Sequence, residues 1–241
     1  QDIETLNQRA LRGELEVTAV SLHAYAHLAD RYLLLPHGAS MGDRYGPRII
    51  AREPLDRAAL RGRRVAVPGA LTSAALALRL YAPEAETVNL HFDRIADAVK
   101  AGDVDAGVLI HEGQLTCEQE GFHLVADLGA WWHDETGLPL PLGANAVRRD
   151  LGEHLIGVVA AAVRASIEYS LAHRDEALDY ALGFGRGLDR AQADEFVAMY
   201  VNRRTLEMGD EERRAITEFL GRGHEAGILP RRVEPELAGW G

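Results

Sequence analysis

The five residues from Ala106 to Ile110, A-G-V-L-I, limit what this chain can become more than any other stretch. They form a short unbroken apolar run, the length of a strand buried on both faces and too short for a core helix. Just upstream, Ile95, Ala98 and Val99 recur at helical spacing, and Gly102 is a residue on which a helix stops. A helix feeding a doubly buried strand is the repeating unit of a parallel sheet. The run ends abruptly in His111-Glu112-Gly113. Ligands of open α/β sheets sit beyond the carboxyl ends of their strands, so His111 is a candidate for proton chemistry near neutral pH. The competing reading is a histidine that only bonds a backbone group at the strand end.

The rest of the chain alternates in the same way as far as about residue 130. Ile3, Leu6 and Ala10 share one face of a helix over 2–11, and a β-rich strand follows over 16–21. A helix is expected over 22–35, stopping at Pro36, then a glycine-rich loop over 37–47 and a strand after it. Strands are expected at 65–67, 87–92 and 121–128, with Asp93 capping the helix that leads to Gly102. The segment 138–149 carries Pro139 and Pro141 and suits a sheet edge or an interdomain crossing. Beyond it the pattern is helical, over 151–172, 175–184, 189–204 and 210–226, with Asp150, Asp175, Asp189 and Asp210 as caps or first-turn acids.

Two crossing segments, near 49–54 and 139–149, bracket a middle block. That predicts an α/β chain of two lobes joined by a two-segment hinge, with a ligand cleft between them. The first lobe takes residues 1–56 and 140–241, the second 57–139. Each lobe offers polar groups to the cleft. From the first come Ser21 at a strand end and the loop over 37–47, which lacks the G-K-[ST] of a phosphate loop. From the second come His111 with Thr72 and Ser73, which open a helix whose amino end can bind an anion or can simply be capped. His23 and His27 have the i, i+4 spacing of a metal pair, but no third ligand accompanies them. Trp131 and Trp132 are either a stacking wall or core anchors.

Composition narrows the partners. A net charge of −11 excludes a nucleic-acid binder, whose ligand needs a basic face. The single cysteine, Cys117, rules out an internal disulfide and a cysteine-based metal cluster, and fits a cytoplasmic protein. No run reaches the ~18 apolar residues of a membrane span. The best, 156–163, is followed by Arg164 and Glu168, so no membrane partner is expected. A homodimer is compatible with all of this. The chain opens on Gln1 in what reads as mid-domain sequence, so a preceding segment is expected.

Several blocks then carry a resemblance: D-I-E-T-L-N, G-P-R-I-I-A-R, V-A-V-P-G-A-L-T-S, D-A-G-V-L-I-H-E and D-L-G-A-W-W-H-D-E-T-G-L-P-L-P-L-G. Together they closely resemble the 1,4-dihydroxy-6-naphthoate synthases of the futalosine route to menaquinone, over essentially the whole chain. The resemblance implies a type II periplasmic-binding-protein-like fold turned to catalysis, without a cofactor. It implies cleavage of cyclic dehypoxanthine futalosine to 1,4-dihydroxy-6-naphthoate with release of a three-carbon fragment. By position it makes His111 the proton acceptor. Ala19, Val20 and Ser21 become one substrate-binding segment, and Thr72 with Ser73 the other. Members of that family begin with a further strand and helix containing a Pro-Cys-Pro-Asn-Asp segment, which has no counterpart here. Chorismate dehydratase, of the same pathway and fold, is the nearest alternative, and the I-H-E block favours the synthase. A non-catalytic solute-binding protein for a small anion is the alternative of a different class.

Overall fold

The computed structural model describes residues 1–183 and 189–239, except for the side chain of Glu112. Helix α1 (Ile3–Leu11) starts on Asp2, whose carboxylate accepts the Thr5 amide at 3.0 Å, and packs on strand β1 (Val17–Ser21). Helix α2 (Leu22–Leu28) follows without a break, then strands β2 (Tyr32–Leu34), β3 (Ser40–Gly42) and β4 (Arg48–Ala51). The middle of the chain runs β5 (Arg64–Val67), α3 (Ser73–Tyr81), β6 (Glu86–Asn89), α4 (Ile95–Ala101), β7 (Ala106–Leu109), β8 (His123–Asp127) and α5 (Leu128–Thr136). Strand β9 (Leu140–Arg148) returns to the first sheet. The last third is helical: α6 (Gly152–Ala172), α7 (Arg174–Leu182), α8 (Arg190–Tyr200), α9 (Arg203–Leu206) and α10 (Asp210–Glu225).

Among the described residues the strands form two sheets. The first has the order β1-β9-β2, with β3 also on β9; the second has the order β6-β5-β7-β4-β8. Strand β4 thus lies inside the second sheet, upstream of residue 57. The main core fills the space around the first sheet and reaches into the second, joining Leu22, Tyr25 and Leu28 of α2, Leu76 and Leu78 of α3, Trp132 of α5 and Phe219 of α10. A smaller cluster of Ile50, Ala66, Ile95, Val99, Leu109 and Phe122 seats α4 on the second sheet. Gly102 ends α4 in the left-handed region at φ 85, as its sequence position predicts.

Five expectations are corrected. The sheets are not uniformly parallel: β5 runs parallel to β6 and β7, but β4 is antiparallel to β7 and β8, and every partner of β9 is antiparallel. The helix expected over 22–35 ends at Leu28, because Tyr32 and Leu34 are buried as a strand paired with Arg148 and Ala146. Of the two settings expected for segment 138–149, a sheet edge or an interdomain crossing, the edge is excluded, since β9 is the centre of the first sheet; Pro141 is tolerated because pairing with β1 begins only at Gly143 and β3 has a register shift there. The helix expected over 189–204 breaks after Tyr200, and Asn202 caps α9 by accepting the Arg204 amide. Asp93 also does not cap α4; its carboxylate is bound to the His91 ring. Phe184, at the end of the expected 175–184 helix, lies outside the described residues.

Helix α6 lies largely on the surface, with Leu155, Val158 and Tyr169 exposed. The helical run Arg149–Ala172 has a mean hydropathy of 1.5 and is long and apolar enough, by length and composition, to cross a membrane. Arg164 and Glu168 form an i, i+4 ion pair within it at 2.9 Å.

Two glycines test the packing in opposite directions. A Cβ on Gly129, in the first turn of α5, would stand 1.9 Å from the Tyr45 carbonyl oxygen, which is backbone and cannot swing away. Gly157, within α6, has nothing within 4 Å of its missing Cβ. Gly129→Ala should therefore lower the unfolding free energy by ~3 kcal/mol. Gly157→Ala should raise it by about 0.5–1 kcal/mol. Urea melts of both variants check the pair of signs.

Candidate active site

A cavity of about 360 Å³ lies between the two sheets, within the usual range for small-molecule sites. Ala19, Val20 and Ser21 of β1 and Leu142, Gly143 and Ala144 of β9 form one wall. Thr72, Ser73 and Ala74 at the start of α3, and Ile110 and Gln114 after β7, also line it. Ile3, Gly38, Ser40 and Pro47 contribute from α1 and the glycine-rich loop, and Phe196 and Tyr200 from α8. No lining side chain among the described residues is charged. The walls are mostly apolar, which suits a flat ring system.

All five binding residues expected from the sequence line this cavity, but the hydroxyls are already engaged. The Ser21 amide donates to Asn7 Oδ1 at 2.9 Å, and Asn7 Nδ2 donates to Ser21 Oγ at 3.1 Å. The Ser73 hydroxyl donates to the Leu142 carbonyl at 2.5 Å and accepts the Leu22 amide at 2.9 Å. The Thr72 hydroxyl donates to the Gly69 carbonyl at 2.9 Å and accepts the Ala75 amide at 3.2 Å, capping α3. The Ala75 amide is thereby satisfied, while helix geometry gives those of Ser73 and Ala74 no intrahelical acceptor. These two amides, with the helix dipole, are the groups on this wall suited to an anion.

His111 is not itself part of the wall; Ile110 and Gln114, on either side of it, are. The Gly113 amide donates to His111 Nδ1 at 3.0 Å, so the neutral ring in this arrangement carries its proton on Nε2. The ring meets the edge of Phe92 at a centroid distance of 5.8 Å. A Cβ on Gly113 would come within 2.6 Å of His111 Cε1, so glycine is what lets the ring lie there. The Glu112 side chain, the other neighbour that might be thought to orient the ring, lies outside the described residues.

Gln114 was not singled out by sequence. It is 1% exposed, on a turn held by the His111 carbonyl at 2.9 Å and by Arg48, whose guanidinium donates to the Gln114 carbonyl at 2.6 Å. The Tyr200 hydroxyl donates to Gln114 Oε1 at 3.3 Å, and Nε2 is buried without a partner. An unmet buried donor costs about 1–3 kcal/mol. Burial pushes the Tyr200 phenol up to about 12, so it stays protonated and remains the donor of that pair. A polar residue just past a strand end was the one signal for Gln114. Phe196 and Tyr200, distant in the chain, gave none.

The remaining candidates are structural. His23 is buried and its Nδ1 bonds the Thr72 carbonyl at 3.2 Å; the His27 ring is 6.0 Å away, and among the described residues no three ligating side chains gather for a metal. Trp132 is fully buried against Phe219, and Trp131 packs on Tyr81. Neither lines the cavity, so both anchor the core.

An α/β molecule of two sheets with a ligand-sized cleft between them defines the class of the periplasmic-binding-protein fold. A Candida albicans protein described as having the generic form of that fold aligns with a TM-score of 0.68 at 13% identity, covering 98% of this chain and 85% of its own. A crystal structure of an Archaeoglobus fulgidus protein aligns far better, with a TM-score of 0.91 at 45% identity over 95% of this chain and 86% of its own. The family model for menaquinone biosynthesis matches residues 1–225, and the chain belongs to that family. A Thermus thermophilus relative named 1,4-dihydroxy-6-naphthoate synthase is 45% identical over 98% of this chain and 86% of its own. One of the same name from Streptomyces coelicolor is 38% identical over the same shares.

His23 makes the site's scaffold sensitive to acid. Burial lowers its pKa to about 4 from the ordinary 6.5; the Thr72 bond opposes this, and His27 and Arg79 add to it. The unfolded chain therefore binds a proton that the folded one refuses between these values. Stability should fall as pH drops from about 6.5 to about 4, with His27, also lowered by burial, acting in the same direction. Thermal midpoints across this window, compared with those of His23→Gln, check it: the variant should show a shallower slope.

Proposed function

We propose that this chain is a 1,4-dihydroxy-6-naphthoate synthase, a carbon–carbon lyase acting on cyclic dehypoxanthine futalosine in the cytoplasm. The reading rests above all on an uncharged, ring-sized cleft with His111 between two of its lining residues, Ile110 and Gln114. Its agreement with the names borne by relatives matched along nearly the whole chain supports it. The apolar walls take the bicyclic ring. The Ser73 and Ala74 amides at the start of α3 take the carboxylate, with Ala19, Val20, Ser21 and Thr72 shaping the pocket around it.

His111 is the general base. Its Nδ1 gives up the Gly113 amide and takes the proton of a ring hydroxyl. The oxygen's electron pair forms a carbonyl as the adjacent carbon–carbon bond breaks, and the pair of that bond passes to the bicyclic ring as an enolate, in a retro-aldol-like step. A three-carbon fragment leaves and the remaining ring aromatises. A base with a pKa near the working pH contributes roughly 10²–10⁴ in rate. The proposal assigns no cofactor. We take residues 1–56 with 140–241 and residues 57–139 as the two lobes, β4 joining the second, and their closure as the step that excludes water.

The test is to add cyclic dehypoxanthine futalosine to the purified protein and follow 1,4-dihydroxy-6-naphthoate by absorbance and mass spectrometry. His111→Ala should fold with an unchanged melt and lose roughly 10²–10⁴ in turnover; near-parental turnover would remove His111 from the role.

Gly113→Ala probes the same base from its neighbour. The added methyl displaces the ring without touching its chemistry. A displacement of about 1 Å should cost about 10²-fold in kcat. A single-turnover measurement reads the chemical step directly.

A further inference from the structure

We infer that Gln114 is a substrate-binding residue whose side-chain NH₂ donates to an uncharged acceptor oxygen, hydroxyl or carbonyl, on the ligand in the cleft, with Tyr200 as its positioning residue. The inference rests on the functional reading above and adds to it a contact that neither the sequence motifs nor the five expected binding residues supply.

Three observations converge. Gln114 lines the cavity and is 1% exposed, so its amide cannot be satisfied by bulk water. Its two ends are treated differently: Oε1 accepts from Tyr200, while Nε2 has no partner. Its backbone is held on both sides, with its amide on the His111 carbonyl and its carbonyl on Arg48. The side chain therefore hangs from a fixed turn three residues from His111. With Oε1 accepting from the Tyr200 hydroxyl, the end left unmet is the donor, not the acceptor. The Tyr200 ring is itself set by an edge contact with Tyr45 at 5.6 Å.

The chemistry of the ligand follows from the donor. The NH₂ group carries no charge to offset the desolvation of a carboxylate, and the amino end of α3 already suits that group, so the partner of the NH₂ is a neutral oxygen. The substrate is thereby gripped by an anion site at α3 and a neutral donor beside His111. The oxygen nearest the reacting carbon is the natural partner of the second. A site built to hydrogen-bond an oxygen discriminates strongly against analogues lacking it.

Three variants test this in the product assay: Gln114→Met, which keeps shape and removes both polar ends; Gln114→Glu, which replaces the donor by an acceptor; and Tyr200→Phe, which frees the amide to flip. Gln114→Met should melt close to the parent, because the unmet Nε2 donor is gone while the Tyr200 hydroxyl loses its acceptor, yet show KM raised about tenfold with kcat less affected. Gln114→Glu should be worse in KM, and Tyr200→Phe should fall between parent and Gln114→Met. A lowered melt with parental KM in Gln114→Met would mean a merely structural residue and overturn the inference. So would parental kinetics with a parental melt. An active parent with either of those results sinks the Gln114 assignment alone; a parent that makes no product sinks the functional reading and this contact with it.

Discussion

One hydroxyl joins the parts that make the cleft. Ser73 opens α3, accepts the amide of Leu22 at the start of α2, and donates to Leu142 on the returning strand β9. Three segments, separated in sequence by roughly fifty and seventy residues, therefore meet at one side chain that is 3% exposed. Asn7 repeats the device a short distance away, bonding both the amide and the hydroxyl of Ser21 and reaching the Leu71 carbonyl at 3.5 Å. Removing either would strand buried backbone amides, which costs more than a surface bond is worth. The apolar core then closes over these clamps, and α3 contributes to it from Ala74 to Leu78.

The clamps also show where the hydroxyls of the expected binding residues are bonded. Ser21, Thr72 and Ser73 read from sequence as polar groups offered to a ligand. In the structure their hydroxyls are engaged in holding helix ends and strands in place. What they leave toward the cavity is backbone: the first-turn amides of α3. An uncharged cleft that presents amides and a helix dipole binds an anion without the desolvation penalty of burying a lysine or arginine.

Local pattern was legible where a strand or helix is dictated by its own residues. The β7 run, the Gly102 stop, the Thr72 cap and the β1 strand end all lie where spacing puts them. Pattern failed where a distant partner decided. Tyr32 to Leu34 carry apolar residues compatible with a helix, but pairing with β9 converts them to a strand. Pro141 argued for an edge, and only the register of β1 and β3 on β9 makes it tolerable at a centre. The site followed the same rule. Residues at strand and helix ends were visible, whereas Tyr200, which meets Gln114 across 86 positions, was not.

His111 shows why the plain and the functional readings of a strand-end histidine are not rivals. The ring does bond a backbone amide, that of Gly113. That bond places the acceptor lone pair at Nδ1, so the neutral ring in this arrangement carries its proton on Nε2. In the role proposed for it, the ring exchanges that donor for a substrate hydroxyl, so its resting partner marks the position the reacting proton would come to occupy. Because the partner is glycine, the turn can pack against the ring face and still yield it. The turn itself stays in place during that exchange, since Arg48 holds the Gln114 carbonyl from β4. An imidazole on an anchored turn suits the proton transfer proposed for it, and that role needs nothing of the strand beyond where it ends.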